Sequence, residues 1–106
     1  MALDYDPKPI ETDHIALNGE LLHLVEVLAE NAHDIWARQR MQDGWTYGPE
    51  RNDILRHHPD LVPYAQFSEA DKTYDRNAVL VTIRAVLALG FVVSSRSSHD
   101  RHGVAD

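Results

Sequence analysis

Apolar residues recur at spacings of three and four from Leu21 onward, through Leu24, Val25, Leu28, Ala32, Ile35 and Trp36. Such spacing draws one stripe along an α-helix. Asn18 stands where an N-cap belongs, so the pattern predicts a helix of about two dozen residues that closes near Asp43-Gly44, where glycine can take the left-handed conformation. Trp45-Thr46-Tyr47 reads as a short strand, and Gly48-Pro49 enforces a turn behind it. The polar run Glu50 to Arg56 reads as an irregular loop. His58 to Tyr64 suits a short helical turn with Pro59 at an early position, where its missing N–H does no harm.

Ser68-Glu69-Ala70-Asp71 resembles a capping arrangement that opens a second long helix. Two apolar sets cover a broad face of it: Tyr74, Ala78, Val81, Ala85 and Ala88, and Val79, Ile83, Val86 and Leu87. Gly90 supplies the stop. Phe91-Val92-Val93 is expected as a second short strand. The fold class that follows is mainly α with a small β edge: two long helices, a short helical turn and one or two short strands. Residues 1–17, stiffened by Pro7 and Pro9, form an extended lead-in along the surface. Residues 94–106 are serine-rich and charged without periodicity, and are expected to be a mobile tail.

About a hundred residues make a single domain with one modest core, assigned here to residues 1–93. No run of eighteen or more apolar residues occurs, and Met1 to Asp6 has neither a basic nor an apolar segment, so no membrane insertion and a cytoplasmic location are expected. The absence of cysteine excludes disulfides, thiolate nucleophiles and cysteine-based zinc sites. A formal charge of −7 argues against nucleic acid as a partner. That charge is unevenly placed. Between Trp36 and His58, Arg38, Arg40, Arg51 and Arg56 face Asp43, Glu50 and Asp53, leaving +1 there and −8 elsewhere. Arginine's planar fork suits phosphate or carboxylate and also stacks on aromatic rings.

His33-Asp34 and the group Asp53, His57, His58 and Asp60 offer acid–base pairs on paper. A histidine on an amphipathic helix is more often a packing residue that hydrogen-bonds its neighbours, and that reading is taken for His33. No nucleophile elbow, phosphate-binding glycine loop, HExxH or dinucleotide turn occurs, so no catalytic residue is assigned and the chain is not expected to be an enzyme. The histidine and aspartate spacing matches no zinc or EF-hand pattern, so no metal or other cofactor is expected. Trp36, on the helix stripe, is expected in the core. Trp45 lies beside Tyr47 and Arg51, where an indole and a guanidinium can hold a flat base and its phosphate; the same residues can equally plug the fold under the Gly48-Pro49 turn.

Four stretches follow one another in order: Ala29-Glu30-Asn31-Ala32-His33-Asp34-Ile35-Trp36, then Gly44-Trp45-Thr46-Tyr47-Gly48-Pro49-Glu50-Arg51, then His58-Pro59-Asp60-Leu61-Val62-Pro63-Tyr64, then Tyr74-Asp75-Arg76-Asn77. With the closing Leu87 to Phe91, they resemble the ryanodine-receptor repeat, the RyR domain, over roughly Tyr5 to Val93. In that family, animal calcium-release channels carry the repeats as tandem pairs on the cytosolic assembly, while bacteria and phages carry them singly or fused to other domains. The single-repeat bacterial or phage type is the one this chain resembles. Some repeats of the channel family bind adenine nucleotides in the cleft between paired repeats, and bacterial relatives have been suggested as sensors of nucleotide signals.

Carried onto the matching positions, the resemblance implies ligand contacts at Trp36, Arg40, Trp45, Tyr47, Arg51 and Asp53. A lone repeat looks like half of a pseudo-twofold pair and implies a homodimer. Two departures stand out: Asn52 replaces an acidic residue common in the family, and the chain from Ser94 has no family counterpart. The function expected is a non-enzymatic module binding a small anionic or nucleotide-like ligand, the alternative being a protein-interaction or assembly module without a small ligand.

Overall fold

The structure is a computed structural model that describes residues 4–96. Helix α1 spans Gly19–Gln42, strand β1 Thr46–Tyr47, strand β2 His57–His58 and helix α2 Glu69–Ala88, with a 3₁₀ turn over Tyr64–Gln66 before α2. The architecture is mainly helical with a two-stranded parallel edge, as the apolar pattern implies. No helix among the described residues is long and apolar enough to cross a membrane. Most of the tail expected to be mobile, from residue 97 onward, lies outside the described residues.

Both helices begin and end for local reasons. The Asn18 side chain accepts a hydrogen bond from the Leu21 N–H at 2.8 Å, and Ser68 Oγ accepts one from the Asp71 N–H at 3.2 Å. Each satisfies a donor that the first turn leaves without a carbonyl. At the other end of α1, Gly44 takes φ +91°, the Gly44 N–H donates to Met41 O at 3.0 Å and the Trp45 N–H reaches back to Arg40 O at 2.9 Å. This is a Schellman closure. Helix α2 ends the same way: Gly90 has φ +99°, and the N–H groups of Gly90 and Phe91 close on Leu87 O and Val86 O.

That closure explains one difference from the sequence pattern. Phe91-Val92-Val93 is not a strand, because the Phe91 N–H is taken by the helix end and no strand among the described residues lies alongside. The second strand is His57–His58, pairing Thr46 with His57 and Tyr47 with His58. The Thr46 N–H donates to Arg56 O at 2.9 Å and the Gly48 N–H to His58 O at 3.3 Å. With His58 held extended, the helical turn expected from His58 moves downstream to Tyr64–Gln66 and starts after Pro63 rather than Pro59.

The loop between the strands is more ordered than its polar composition suggests. Asn52 and His57 exchange two backbone hydrogen bonds, both 2.9 Å. Asn52 Oδ1 also accepts from the N–H groups of Ile54 and Leu55 at 3.0 and 2.9 Å, an Asx turn, and Arg56 takes the left-handed conformation at φ 58°.

The core is small: Leu21, Val25 and Ala29 of α1, Leu61 and Tyr64 from the segment between β2 and α2, and Ile83 of α2, joined by His33 and by Thr12 from the lead-in. The buried line on α1 therefore runs Leu21, Val25, Ala29, His33, rotated from the predicted stripe. Ala32 and Ile35, expected inward, are exposed, and Trp36 is half-buried rather than core. Ala29 has no exposed surface, so the packed face of α1 is centred on a small residue that a hydrophobicity pattern undervalues. On α2 only Ile83 is fully buried, and Tyr74, expected on the packed face, is 82% exposed.

Arg76 braces the two helices. Its Nε and Nη2 donate to the two carboxylate oxygens of Glu26 on α1, and its Nη1 donates to Glu69 Oε1 at the start of its own helix at 3.2 Å. The hydrogen bond from Arg76 holds the Glu26 carboxyl below its ordinary value, against the opposing effect of desolvation. Tyr64 lies beside this pair without closing a hydrogen bond, and burial together with the Glu26 charge pushes its phenol above its usual range.

Candidate functional site

The Schellman closure of α1 turns the chain so that Trp45 comes back over Arg40, one turn up the helix. The Arg40 guanidinium then lies 4.9 Å from the Trp45 ring centre and 5.7 Å from that of Trp36, which is four residues earlier on the same face. Arg51 lies over Trp45 as well, at 5.9 Å. Its Nε donates to Asp53 Oδ1 at 2.8 Å. The result is a continuous ladder, Trp36, Arg40, Trp45, Arg51, Asp53, built from three turns of chain and held mainly by cation–π contacts.

Five of the six residues that the sequence singled out are therefore brought together. The sixth, Tyr47, is 57% exposed on β1 and makes no ring contact among the described residues. Within the ladder the two arginines differ. Arg51 already has a carboxylate partner, whereas no hydrogen bond or ion pair among the described residues engages the Arg40 side chain, which is half-buried. Arg56 is committed elsewhere, donating to Asp43 O at 2.7 Å and bracing the α1 end, and Arg38 is exposed.

His58 is the residue that sequence reasoning undervalued. Its residue type suggests an acid, base or ligand, yet its ring stands edge-on to Trp36 at 4.9 Å and to Trp45 at 6.3 Å, so it wedges between the two indoles. Its Nδ1 accepts the Asp60 N–H at 3.0 Å, which places any ring proton on Nε2 in the neutral form. The motif His58-Pro59 carried the signal. Gly48 also belongs to this arrangement, because a side chain there would run into His57. His33 is a packing residue: buried at 6% exposure, it places Nε2 2.7 Å from Val62 O and stands against Phe67, Trp36 and Tyr64 at ring distances of 4.5, 5.6 and 6.3 Å. Asp34, its neighbour, points to solvent, so the two form no pair.

Behind Trp36 a cleft of about 380 Å³ opens between α1, the segment after β2 and the start of α2. Trp36, Phe67 and Tyr74 wall it, His33 floors it, and Asp60 and Asp75 stand on it.

What these parts define is a small helical module whose surface chemistry is concentrated in one arginine–tryptophan ladder and an adjoining aromatic cleft. The family model of the RyR domain matches residues 5–95, and the chain belongs to the RyR domain family.

Proposed function

We propose that this RyR domain is a non-enzymatic binding module of the single-repeat bacterial or phage type, working in the cytoplasm, and that its ligand is a small anion carrying a flat ring, with a nucleotide as the leading class. The observation that carries this reading is Arg40: a half-buried guanidinium stacked against two indoles, with no carboxylate partner among the described residues. Aromatic faces hold such a cation without neutralising it, so its N–H fork stays available to a phosphate or carboxylate. Arg51, on the same indole, can exchange Asp53 for an incoming anion, since that pair is exposed and therefore weak. Trp45 and Tyr47 offer the ring faces on which a base stacks.

A thermal-shift screen against adenine and guanine nucleotides, cyclic dinucleotides and inorganic phosphate tests it. Ligand at a hundred times its dissociation constant adds about 2.7 kcal/mol of stability. The shift is expected with nucleotides, smaller with inorganic phosphate, and absent in Arg40→Ala checked for folding by circular dichroism. A flat screen from well-folded protein overturns the reading.

A second reading, assembly through protein contacts, is favoured by a specific feature: Leu89, Phe91 and Val92 at the end of α2 are 62%, 66% and 86% exposed. We infer that a second copy covers them, giving a homodimer, as closed twofold pairs are the commonest oligomers. Mass in solution decides between dimer and monomer.

A further inference from the structure

The cleft behind Trp36 has chemistry opposite to that of the ladder. Its walls are aromatic, Trp36, Phe67 and Tyr74, and its charged groups are the carboxylates of Asp60 and Asp75. No described residue pairs with either carboxylate side chain. The cations that α2 places nearby are spent elsewhere: Lys72 lies 3.7 Å from Glu69 and over the Tyr64 ring, and Arg76 is held by Glu26 and Glu69. Two acidic groups are thus left uncompensated on an aromatic-walled hollow, in a chain whose formal charge is −7.

The sequence motif at the start of α2 points the same way. In Tyr74-Asp75-Arg76-Asn77, Arg76 braces the helices, but Tyr74 is 82% exposed and Asp75 has no partner, so neither is explained by packing. Both line the cleft. A large exposed aromatic ring next to an unpaired acid fits recognition better than stability, since packing gains nothing from a side chain left in water.

We propose that this cleft is a second binding site, taking an organic cation, an ammonium or guanidinium head on an apolar stem, between Trp36, Phe67 and Tyr74 with Asp60 and Asp75 as counter-charges. Ring faces attract a cation through their quadrupole and shelter the stem, while the two carboxylates set the sign of charge admitted. A hydrated metal ion is the wrong occupant: it seeks several oxygen ligands, and among the described residues no three carboxylate or imidazole groups converge to hold one. The volume lies at the small end of the range for ligand pockets, suited to one head group and a short stem. The site shares Trp36 and His58 with the anion ladder, while Asp60, Phe67, Tyr74 and Asp75 belong to the cleft alone.

The test is a titration of the full chain, followed by ¹H–¹⁵N spectra, with choline and agmatine, and with 3,3-dimethylbutan-1-ol as the uncharged carbon isostere of choline. The expected result is a saturable shift of the Trp36 indole N–H and the Tyr74 amide with the cations and none with the isostere. The double variant Asp60→Asn, Asp75→Asn is expected to weaken the cations by about tenfold or more, in line with the loss of charged contacts. Asp60 is exposed and Asp75 half-buried, and neither side chain is paired among the described residues, so the melting temperature should match that of the parent; if it does not, the single variants Asp60→Asn and Asp75→Asn are titrated instead. An arm with N-acetyl-argininamide separates sources: binding equal to agmatine marks a side chain of a partner peptide, and binding of agmatine alone marks a free small cation. The proposal fails if no cation moves the Trp36 indole, if the isostere moves it equally, or if the acidic variants bind unchanged. Nucleotide binding at Arg40 has no bearing on any of these outcomes.

Discussion

Replacing Gly48 with alanine should damage this protein out of proportion to the single methyl added. A Cβ built at Gly48 falls 2.5 Å from His57 Cβ, 2.8 Å from its Cγ and 2.9 Å from its Nδ1. Rotating the histidine side chain cannot relieve the first contact, because a Cβ moves only with its own backbone. Reaching ordinary contact of about 3.5 Å requires β1 and β2 to part by about 1 Å. The Gly48 N–H to His58 O bond, already long at 3.3 Å, would open, and His58 would be carried away from the two indoles it wedges. Overpacking of this kind costs about 2 kcal/mol, which for a domain of this size is a fall in Tm of about 10 °C. Gly19→Ala is the matched control. It adds the same methyl at the first position of α1, where nothing lies within 4 Å, and should raise stability by up to about 1 kcal/mol. Thermal melts by circular dichroism, with tryptophan fluorescence to read Trp36 and Trp45, measure both. A Gly48→Ala protein that melts at or above the parent, with unchanged fluorescence, would refute the claim that close approach of the strands positions the ladder.

Glu26 gives a pH-dependent expectation. Its carboxyl is held below the ordinary value of 4.5 chiefly by the hydrogen bond from Arg76, so the brace contributes fully above that value and is lost as pH falls through the lower folded value. Glu26→Gln should therefore be less stable than the parent at pH 7, with the difference shrinking toward pH 3 in urea melts; a difference independent of pH would contradict it. In the buried line of α1, Ala29→Leu should lose about 2 kcal/mol through overpacking, because Ala29 has no exposed surface, whereas Ala32→Leu on the exposed side should stay within about 0.5 kcal/mol by the same measurement.

Caps and stops were the most legible part of this chain. Asn18, Gly44, Ser68 and Gly90 each announce a helix boundary by local chemistry, and each boundary lies where they place it. The ladder was legible as composition, since arginines and tryptophans crowd one segment, but its order was not. That order comes from the closing turn at Gly44, which returns Trp45 to Arg40, and from the pairing of His57 with Thr46 across ten intervening residues, a contact with no periodic signature. The helix face was misjudged for a related reason. Hydrophobicity favours Ile35 and Leu24, while the buried line runs through the small Ala29 and through His33, whose polarity is absorbed by Val62 O. The tetrad from Tyr74 was legible only as the start of the second helix, with Tyr74 placed on its packed face, because its parts serve different ends: Arg76 reaches a residue 50 positions away, and Tyr74 and Asp75 face the cleft.

The backbone bonds that shape the ladder are all short-range in sequence. Trp45 to Arg40, Thr46 to Arg56, Asn52 to His57 and the Arg56 to Asp43 contact each span 13 residues or fewer, whereas the helix pair is joined across 50. The segment from Gly44 to His58 can therefore breathe as its own unit, its amides exchanging with solvent while α1 and α2 stay docked. A ligand that bridges Arg40 and Arg51 would clamp that motion, so occupancy would be written as slowed exchange at Thr46, Gly48 and His57 with no change in the shape of the helical frame.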